Sequence, residues 1–382
     1  MAERLILTSS GAHETSCCLN FNPTRLAIAR MRRGYGKTEF AAKLSVSSRM
    51  VTAYESGESA PSTETFSKIQ TVLGFPAAFF EGDDLEELEC SAVSFRSLST
   101  MSAKLRDMAR SQGTLAVHFT KWIEGIFDLP KPNLPDLGAE TEPEVAADYL
   151  RQAWGIGQQP VKNMIHLLES KGVRVFSISV ESKSVDAFST WKGDTPFIFL
   201  NCFKSAERSR FDAAHELCHL TMHRHGGPNG RNAELEANRF ASAFLMPRGG
   251  VLAHLPEQPH LRELLRIKQI WNVSVGALCH RLHELNALSD WYYKSLMVEI
   301  SKRGYRIHEP HGSPRETSLV LPKLLSSLYK EDNMSRAQIA EKLAIPSAEL
   351  EALLFSLVMT GINGGRTLAG TAGNPALLTR VK

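Results

Sequence analysis

Residues Phe211 to His225 read FDAAHELCHLTMHRH. Within them His215, Glu216 and His219 spell H-E-x-x-H. Residues four apart share one face of an α-helix. On a helix, both imidazoles can therefore grip one Zn2+ ion, with Glu216 beside them to take a proton from the attacking water. Phe211, Ala214, Leu217, Cys218 and Leu220 give the same stretch an apolar side. That pattern suits a helix crossing beneath a cleft, buried on one face and polar on the other.

A catalytic zinc takes three protein ligands and keeps one position open. The third ligand has several candidates. The run ELEANRFASAFLM, from Glu234 to Met246, reads as a helix with Phe240, Phe244 and Leu245 on its packed side. It offers Glu234 and Glu236, with Asn238 four residues after Glu234. His223 and His225 are rivals. His223 lies a full turn beyond His219, which would stretch a single tetrahedral site, so a surface or supporting role suits it better. Cys218 points off the His215/His219 face and reads as core. The plain alternative is a pair of buried histidines with no metal, and the acid-bearing helix close behind weighs against it.

Upstream, EVAADYLRQAWGI and VKNMIHLLESKG read as helices, the second ended by Gly172. VRVFSISV (Val173 to Val180), VDAFSTW (Val185 to Trp191) and TPFIFL (Thr195 to Leu200) read as three short strands. RSRFDAAHELCHLTMH followed by ELEANRFASAFLMP, with the strand-forming text before it, resembles the ImmA/IrrE family of zinc metallo-endopeptidases over roughly residues 144 to 286. The resemblance implies His215 and His219 as zinc ligands, Glu234 as the third with Glu236 behind it, and Glu216 as general base. It also implies a substrate: a partner repressor whose cleavage releases genes for a damage response or for mobile-element transfer. No motif residue is missing, so an intact site is expected. The donor that completes the oxyanion site is not legible. Nearby histidines and Asn238 are candidates, and Asn238 is better suited to orienting a ligand.

The N-terminal text RLAIARMRRGYGKTEFAAKLSVSSRMVTAYESGESAPSTETFSKIQTVLG resembles the repressor-type (XRE/Cro) helix-turn-helix domain. EFAAKL reads as a helix, SVS as the turn and SRMVTAYESG as the recognition helix ended by Gly57; Ser62 or Thr63 caps the next helix. A recognition helix of this kind lies in the major groove, which points to Ser47, Ser48, Arg49 and Thr52 as DNA contacts, with Lys37 and Arg33 at phosphates. Arg25, Arg30, Arg32, Arg33, Lys37, Lys43, Arg49 and Lys68 make the segment from Asn22 to Phe80 locally basic. Gly36 and Lys37 stand where the family often carries Thr-Gln. The competing reading is a helix-turn-helix that grips another protein of its own fold.

The 382-residue chain suits two or three domains, and its 43% hydrophobic and 22% charged content are ordinary for a globular protein. A net charge of +3 names no partner, so a nucleic-acid surface has to be local. Six cysteines with no CxxC pair suit a reduced compartment rather than a disulfide scaffold. The N-terminus does not read as a signal peptide, and no window approaches the ~18 apolar residues of a membrane span. A cytoplasmic location with no membrane partner is the expectation.

The expected fold is mainly α with a small three-stranded β-sheet, an α+β arrangement. Its parts are a flexible start (1–21), a helix-turn-helix domain (22–80), a connector (81–143), a zinc metallopeptidase domain (144–290) and a C-terminal helical region (291–382). The connector opens with the acidic run Glu81 to Glu89, read as a solvated link. It continues through FRSL (Phe95 to Leu98), read as a docking segment, and a helix from Gly113 to Phe127. It ends in a proline-rich linker or extended segment, Leu129 to Pro143. Two further runs have helix-turn-helix grammar: LRELLRIKQIWNVSVGALCHRLHELN, read as packing of the zinc domain, and SRAQIAEKLAIPSAELEALLFSLV (Ser335 to Val358), left unassigned. The tail ends in a Gly-rich segment expected to be mobile.

The function expected is a DNA-binding regulator with a zinc endopeptidase that cuts a repressor-like or antitoxin-like protein, or itself; a homodimer is left open. The alternative is a non-proteolytic regulator whose zinc domain senses a ligand, although a pure sensor has no need of a base at Glu216.

Overall fold

Five helices fill the first part of the chain: α1 (Pro23–Arg32), α2 (Lys37–Leu44), α3 (Ser48–Ser56), α4 (Thr63–Leu73) and α5 (Ala77–Phe80). In this computed structural model the residues described are 21–88, 102–138, 141–178, 187–225, 230–257, 259–358 and 379–381. The expectations placed on residues 1–20, on Phe95 to Leu98 and on most of the Gly-rich tail fall outside them. Ser62 is the cap expected for α4, and α1 and α3 have side-chain caps as well. Asn22 accepts from the Thr24 and Arg25 amides, Ser47 from Met50 and Ser62 from Thr65. Ser45, in the left-handed region at φ 59°, closes α2 and makes the turn into α3. Leu26, Phe40, Val51, Ile69 and Phe79 form the core between these helices, each fully buried.

The connector departs from expectation. Helix α6 (Ala103–Glu124) begins ten residues before Gly113, capped by Ser102. Gly113 sits inside it because the Leu88 side chain lies where a Cβ would be. The acidic run is accordingly not a free solvated link. Leu88 is 1% exposed, Glu86 pairs with Lys121, and Glu87 pairs with Arg110 at 3.7 Å. One leucine among carboxylates is enough to pin the run. The proline-rich stretch after strand β1 (Phe127–Asp128) is an extended segment, as one reading had it, held down as a strap. The Asn133 amide donates to the Lys171 carbonyl at 2.9 Å and the Leu137 amide to that of Thr221 at 2.7 Å. Gly172, at φ 81°, allows this approach, since the Lys131–Pro132 backbone occupies the space of a Cβ.

Helices α7 (Pro143–Ala153) and α8 (Met164–Ser170) lead into the sheet. Its strands are β2 (Arg174–Ile178), β3 (Phe188–Lys192) and β4 (Thr195–Asn201), in the order β2-β4-β3. β2 runs parallel to β4 and β3 antiparallel to it. Phe199 stands opposite both Phe176 and Phe188, and these rings stack with Phe197 in a buried aromatic layer. Helix α9 (Ala206–Met222), which carries the H-E-x-x-H text, packs on β3, β4 and helix α10 (Arg231–Leu245). Beyond come α11 (Arg248–Leu252), α12 (Leu261–Trp271), α13 (Val275–Glu284) and α14 (Asp290–Lys302). Leu264, Trp271, Val275 and Leu278 are fully buried, so the α12–α13 pair serves packing.

Helices α15 (Val320–Asp332), α16 (Arg336–Lys342) and α17 (Ser347–Leu354) reach back to the start of the chain. Glu349 of α17 is 2% exposed, and it accepts from Arg32 at 2.6 Å and from Arg33 at 2.5 Å. At the other end of this region, Glu169 accepts from the Leu319 and Val320 amides and from Ser318. Glu316 binds Arg210 of α9 and the Met164 amide. Strand β5 (Thr379–Arg380) pairs antiparallel with β1, a contact that neither text announced. Among the described residues no helix is long and apolar enough to cross a membrane.

Glu349→Ala strands two guanidinium groups at a buried contact. It should lower unfolding stability by about 3–5 kcal/mol, read as a drop in the urea midpoint; an unchanged midpoint would show that the contact is dispensable.

Candidate metal centre

Helix α9 starts at Ser205, whose hydroxyl accepts from the Arg208 amide at 3.2 Å. Ala213, Ala214, Leu217, Cys218 and Leu220 bury its apolar side, while His215 and His219 lie on the side turned to α10. The two Nε2 atoms are 3.2 Å apart. Glu234, in the first turn of α10, brings Oε2 to 3.5 Å from His215 Nε2 and Oε1 to 3.8 Å from His219 Nε2. Among the described residues, these three form the cluster that could hold a metal ion. Tetrahedral bonds of ~2.1 Å place ligand atoms about 3.4 Å apart. The observed spacings bracket that value, and two imidazole nitrogens with one carboxylate oxygen suit zinc and leave a position open.

The rival ligands are placed elsewhere. Glu236 turns to His223, with Oε2 3.0 Å from Nε2. His225 is largely exposed and faces Asp136 at 3.4 Å. Cys218 is fully buried, and burial, with Glu236, Glu216 and Glu234 nearby, pushes its thiol well above the ordinary range. It therefore stays protonated and serves as core.

Both imidazoles and Glu216 have a supporting contact. Asn238 Oδ1 lies 3.2 Å from His215 Nδ1, one turn beyond Glu234 on the same helix. His219 Nδ1 lies 2.9 Å from His223 Nδ1. Burial, then the charges of His215 and His223, hold the His219 imidazole well below its usual range, so it is neutral at pH 7, as a metal ligand must be. Glu216 is 3% exposed and accepts a hydrogen bond from the Ser189 hydroxyl at 2.7 Å. Ser189 was missed in the sequence. It sits in a run read only as a strand, and the register that sets it under α9 belongs to the pairing of β3 with β4. Beside the centre opens a groove of about 860 Å³, whose lining includes Phe203, Phe211, Leu235, Asn238, Arg239 and Ile307.

At the N-terminal end, Ser48, Arg49 and Thr52 are exposed on α3. Ser47 is exposed too, but its hydroxyl is the helix cap. Lys37 reaches Glu55 and the Thr52 hydroxyl, each at 3.4 Å. Arg33, expected at a phosphate, is corrected. Its guanidinium donates to the Leu73 carbonyl and to Glu349 and lies over the Phe75 ring, so it is engaged inside the molecule. Arg25, Arg30 and Arg32 are also turned inward, onto the Phe79 and Asp83 carbonyls, Glu55 and Glu349. The local basicity read along α1 thus serves packing, and the exposed cations are Lys37, Lys43, Arg49 and Lys68.

A helix-turn-helix unit and a metal-capable H-E-x-x-H helix on one chain define a nucleic-acid-binding module joined to a metallopeptidase-like module. Residues 26–80 match the family model described as Helix-turn-helix, and residues 168–283 match Peptidase_M78, described as the IrrE N-terminal-like domain. The chain carries these two in that order, α1–α5 falling in the first and β2 to α13 in the second. No curated protein matches the chain.

Ser189→Ala removes a donor from a buried carboxylate and should cost about 1–3 kcal/mol of stability. An unfolding midpoint equal to wild type would mean that the Ser189 contact does not hold Glu216.

Proposed function

We propose that the chain is a DNA-binding regulator that acts as a zinc-dependent endopeptidase on a repressor-like or antitoxin-like protein. The observation that carries this reading is the convergence of His215, His219 and Glu234, with Glu216 next to His215 on the same helix, buried and bonded to Ser189 outside the ligand set. His215, His219 and Glu234 would hold the zinc, which supplies Lewis acidity to the scissile carbonyl and to the attacking water. Glu216 takes the proton of that water and returns it to the leaving amine. The Ser189 hydroxyl holds the carboxylate in one orientation, and burial removes competing solvent from it. The groove beside the centre is large enough for several residues of an extended substrate, and its Phe211, Leu235 and Ile307 offer apolar contacts. A carboxylate in the place of Glu216 is not needed for metal or ligand sensing alone, and this favours catalysis over the sensor reading.

DNA binding is assigned to α3, with Ser48, Arg49 and Thr52 toward the major groove, Ser47 at its entry and Lys37 at the adjoining phosphate. The exposure of these side chains supports the assignment.

Glu216→Gln should keep zinc at the wild-type level and lose about 10²–10⁴-fold in cleavage rate. The test is mass spectrometry of cells expressing either form. Fragments of one regulator appearing only with wild type support the reading, and identical fragment patterns contradict it. For Arg49→Ala, anisotropy titrations of duplex DNA should show binding weakened by about 1–3 kcal/mol. Unchanged affinity would remove α3 as the DNA-facing helix.

A further inference from the structure

Two residues outside the ligand set, His223 and Glu236, form a chain behind His219. His223 ends α9 as its C-cap, leaving helical geometry at φ −112° and ψ 18°. Its side chain is 9% exposed. His219 Nδ1 and His223 Nδ1 are 2.9 Å apart, and His223 Nε2 and Glu236 Oε2 are 3.0 Å apart. Both are ordinary hydrogen-bond lengths.

Proton bookkeeping gives the chain one direction. A neutral imidazole carries a single N–H, and an ionised carboxylate only accepts. Glu236 therefore takes the proton of His223 Nε2. That leaves His223 Nδ1 as an acceptor, so His219 must donate from Nδ1. The His219 lone pair then falls on Nε2, the atom that faces Glu234 and His215. The reverse arrangement would put the His219 proton on Nε2, where a metal ligand needs a lone pair. Asn238 serves His215 in the same sense through its Oδ1, but without a charge to anchor it.

We propose that Glu236 and His223 are positioning residues: a carboxylate–imidazole relay that locks His219 in its metal-binding tautomer. The proposal rests on the reading of His215, His219 and Glu234 as a zinc site. It also gives Glu236 and His223, both weighed as ligands from the sequence, a different role. The division follows from α10, whose first turns present Glu234 to the imidazole pair and Glu236 to His223. Outer partners of this kind change metal affinity by ~10–100-fold when removed.

The test is a zinc titration of the full chain against a competing chelator, for wild type, Glu236→Gln and His223→Phe. Nitrogen-15 histidine spectra of the zinc-loaded proteins are recorded alongside. The relay predicts one zinc per chain in all three and ~10–100-fold weaker binding in both variants. In wild type, His219 is expected protonated at Nδ1 and His223 at Nε2. In Glu236→Gln, the side-chain amide can accept or donate, so His223 should become a mixture of tautomers. Thermal melts of the metal-free proteins that stay close to wild type separate this loss from misfolding; if His223→Phe does not fold, Glu236→Gln alone carries the comparison. Wild-type affinity in Glu236→Gln, or a His223 nitrogen shifted into the metal-bound range, overturns the relay. Failure of wild type to bind zinc instead overturns the metal site beneath it, and the two failures are told apart by the wild-type titration alone.

Discussion

The wedging of α9 between the small sheet and α10 is the constraint on which the rest depends. Its apolar residues Ala213, Ala214, Leu217 and Cys218 leave almost no surface, so the helix cannot rotate about its axis without exposing them. That fixes the direction of everything else it carries. His215 and His219 are set toward α10 by the helical repeat, and Glu216, one residue on, is swung toward β3 and meets Ser189. The four-residue step puts both imidazoles on one face of the helix, and packing decides which way that face looks. Here hydrophobic burial on one side gives polar chemistry on the other its geometry.

Charge follows a related logic across the molecule. Several carboxylates are spent on joints: Glu169 at the start of α15, Glu316 on α9 and at the entrance to α8, and Glu349 against α1. Each joins parts of the chain far apart in sequence. The region after residue 291 is therefore no appendage. It holds the helix-turn-helix on one side through Arg32 and Arg33 and the H-E-x-x-H helix on the other through Arg210. Buried ionic joints of this kind gain little net energy over apolar packing, but they are costly to break singly. They favour one relative arrangement of the elements they tie.

Local signals were legible in the sequence where one interaction range sufficed. The H-E-x-x-H spacing, the Ser62 cap, Gly57 and Gly172, and the three short strands all depend on neighbours within a turn or a strand. The α+β character and the His215/His219 pair followed from them, while Glu234 as the third ligand came from the family resemblance. What escaped depends on distant partners. Ser189 becomes important only through the β3–β4 register. Leu88 turns an acidic link into a docked segment only because Gly113 waits on α6. The arginines of α1 look like a phosphate surface until Glu55, Glu349 and the backbone of Phe79 and Asp83 claim them. His223 and Glu236 were each weighed as ligands, and neither could be read as half of a pair from spacing alone.

The central claim is that two imidazoles and one carboxylate hold zinc with no sulfur. X-ray absorption at the zinc edge of the full-length protein tests it most directly. The account predicts one zinc per chain with a shell of four nitrogen or oxygen neighbours at ~2.0–2.1 Å, two of them showing the outer scattering of imidazole. A sulfur neighbour near ~2.3 Å, or a protein that takes up no stoichiometric zinc, would contradict it.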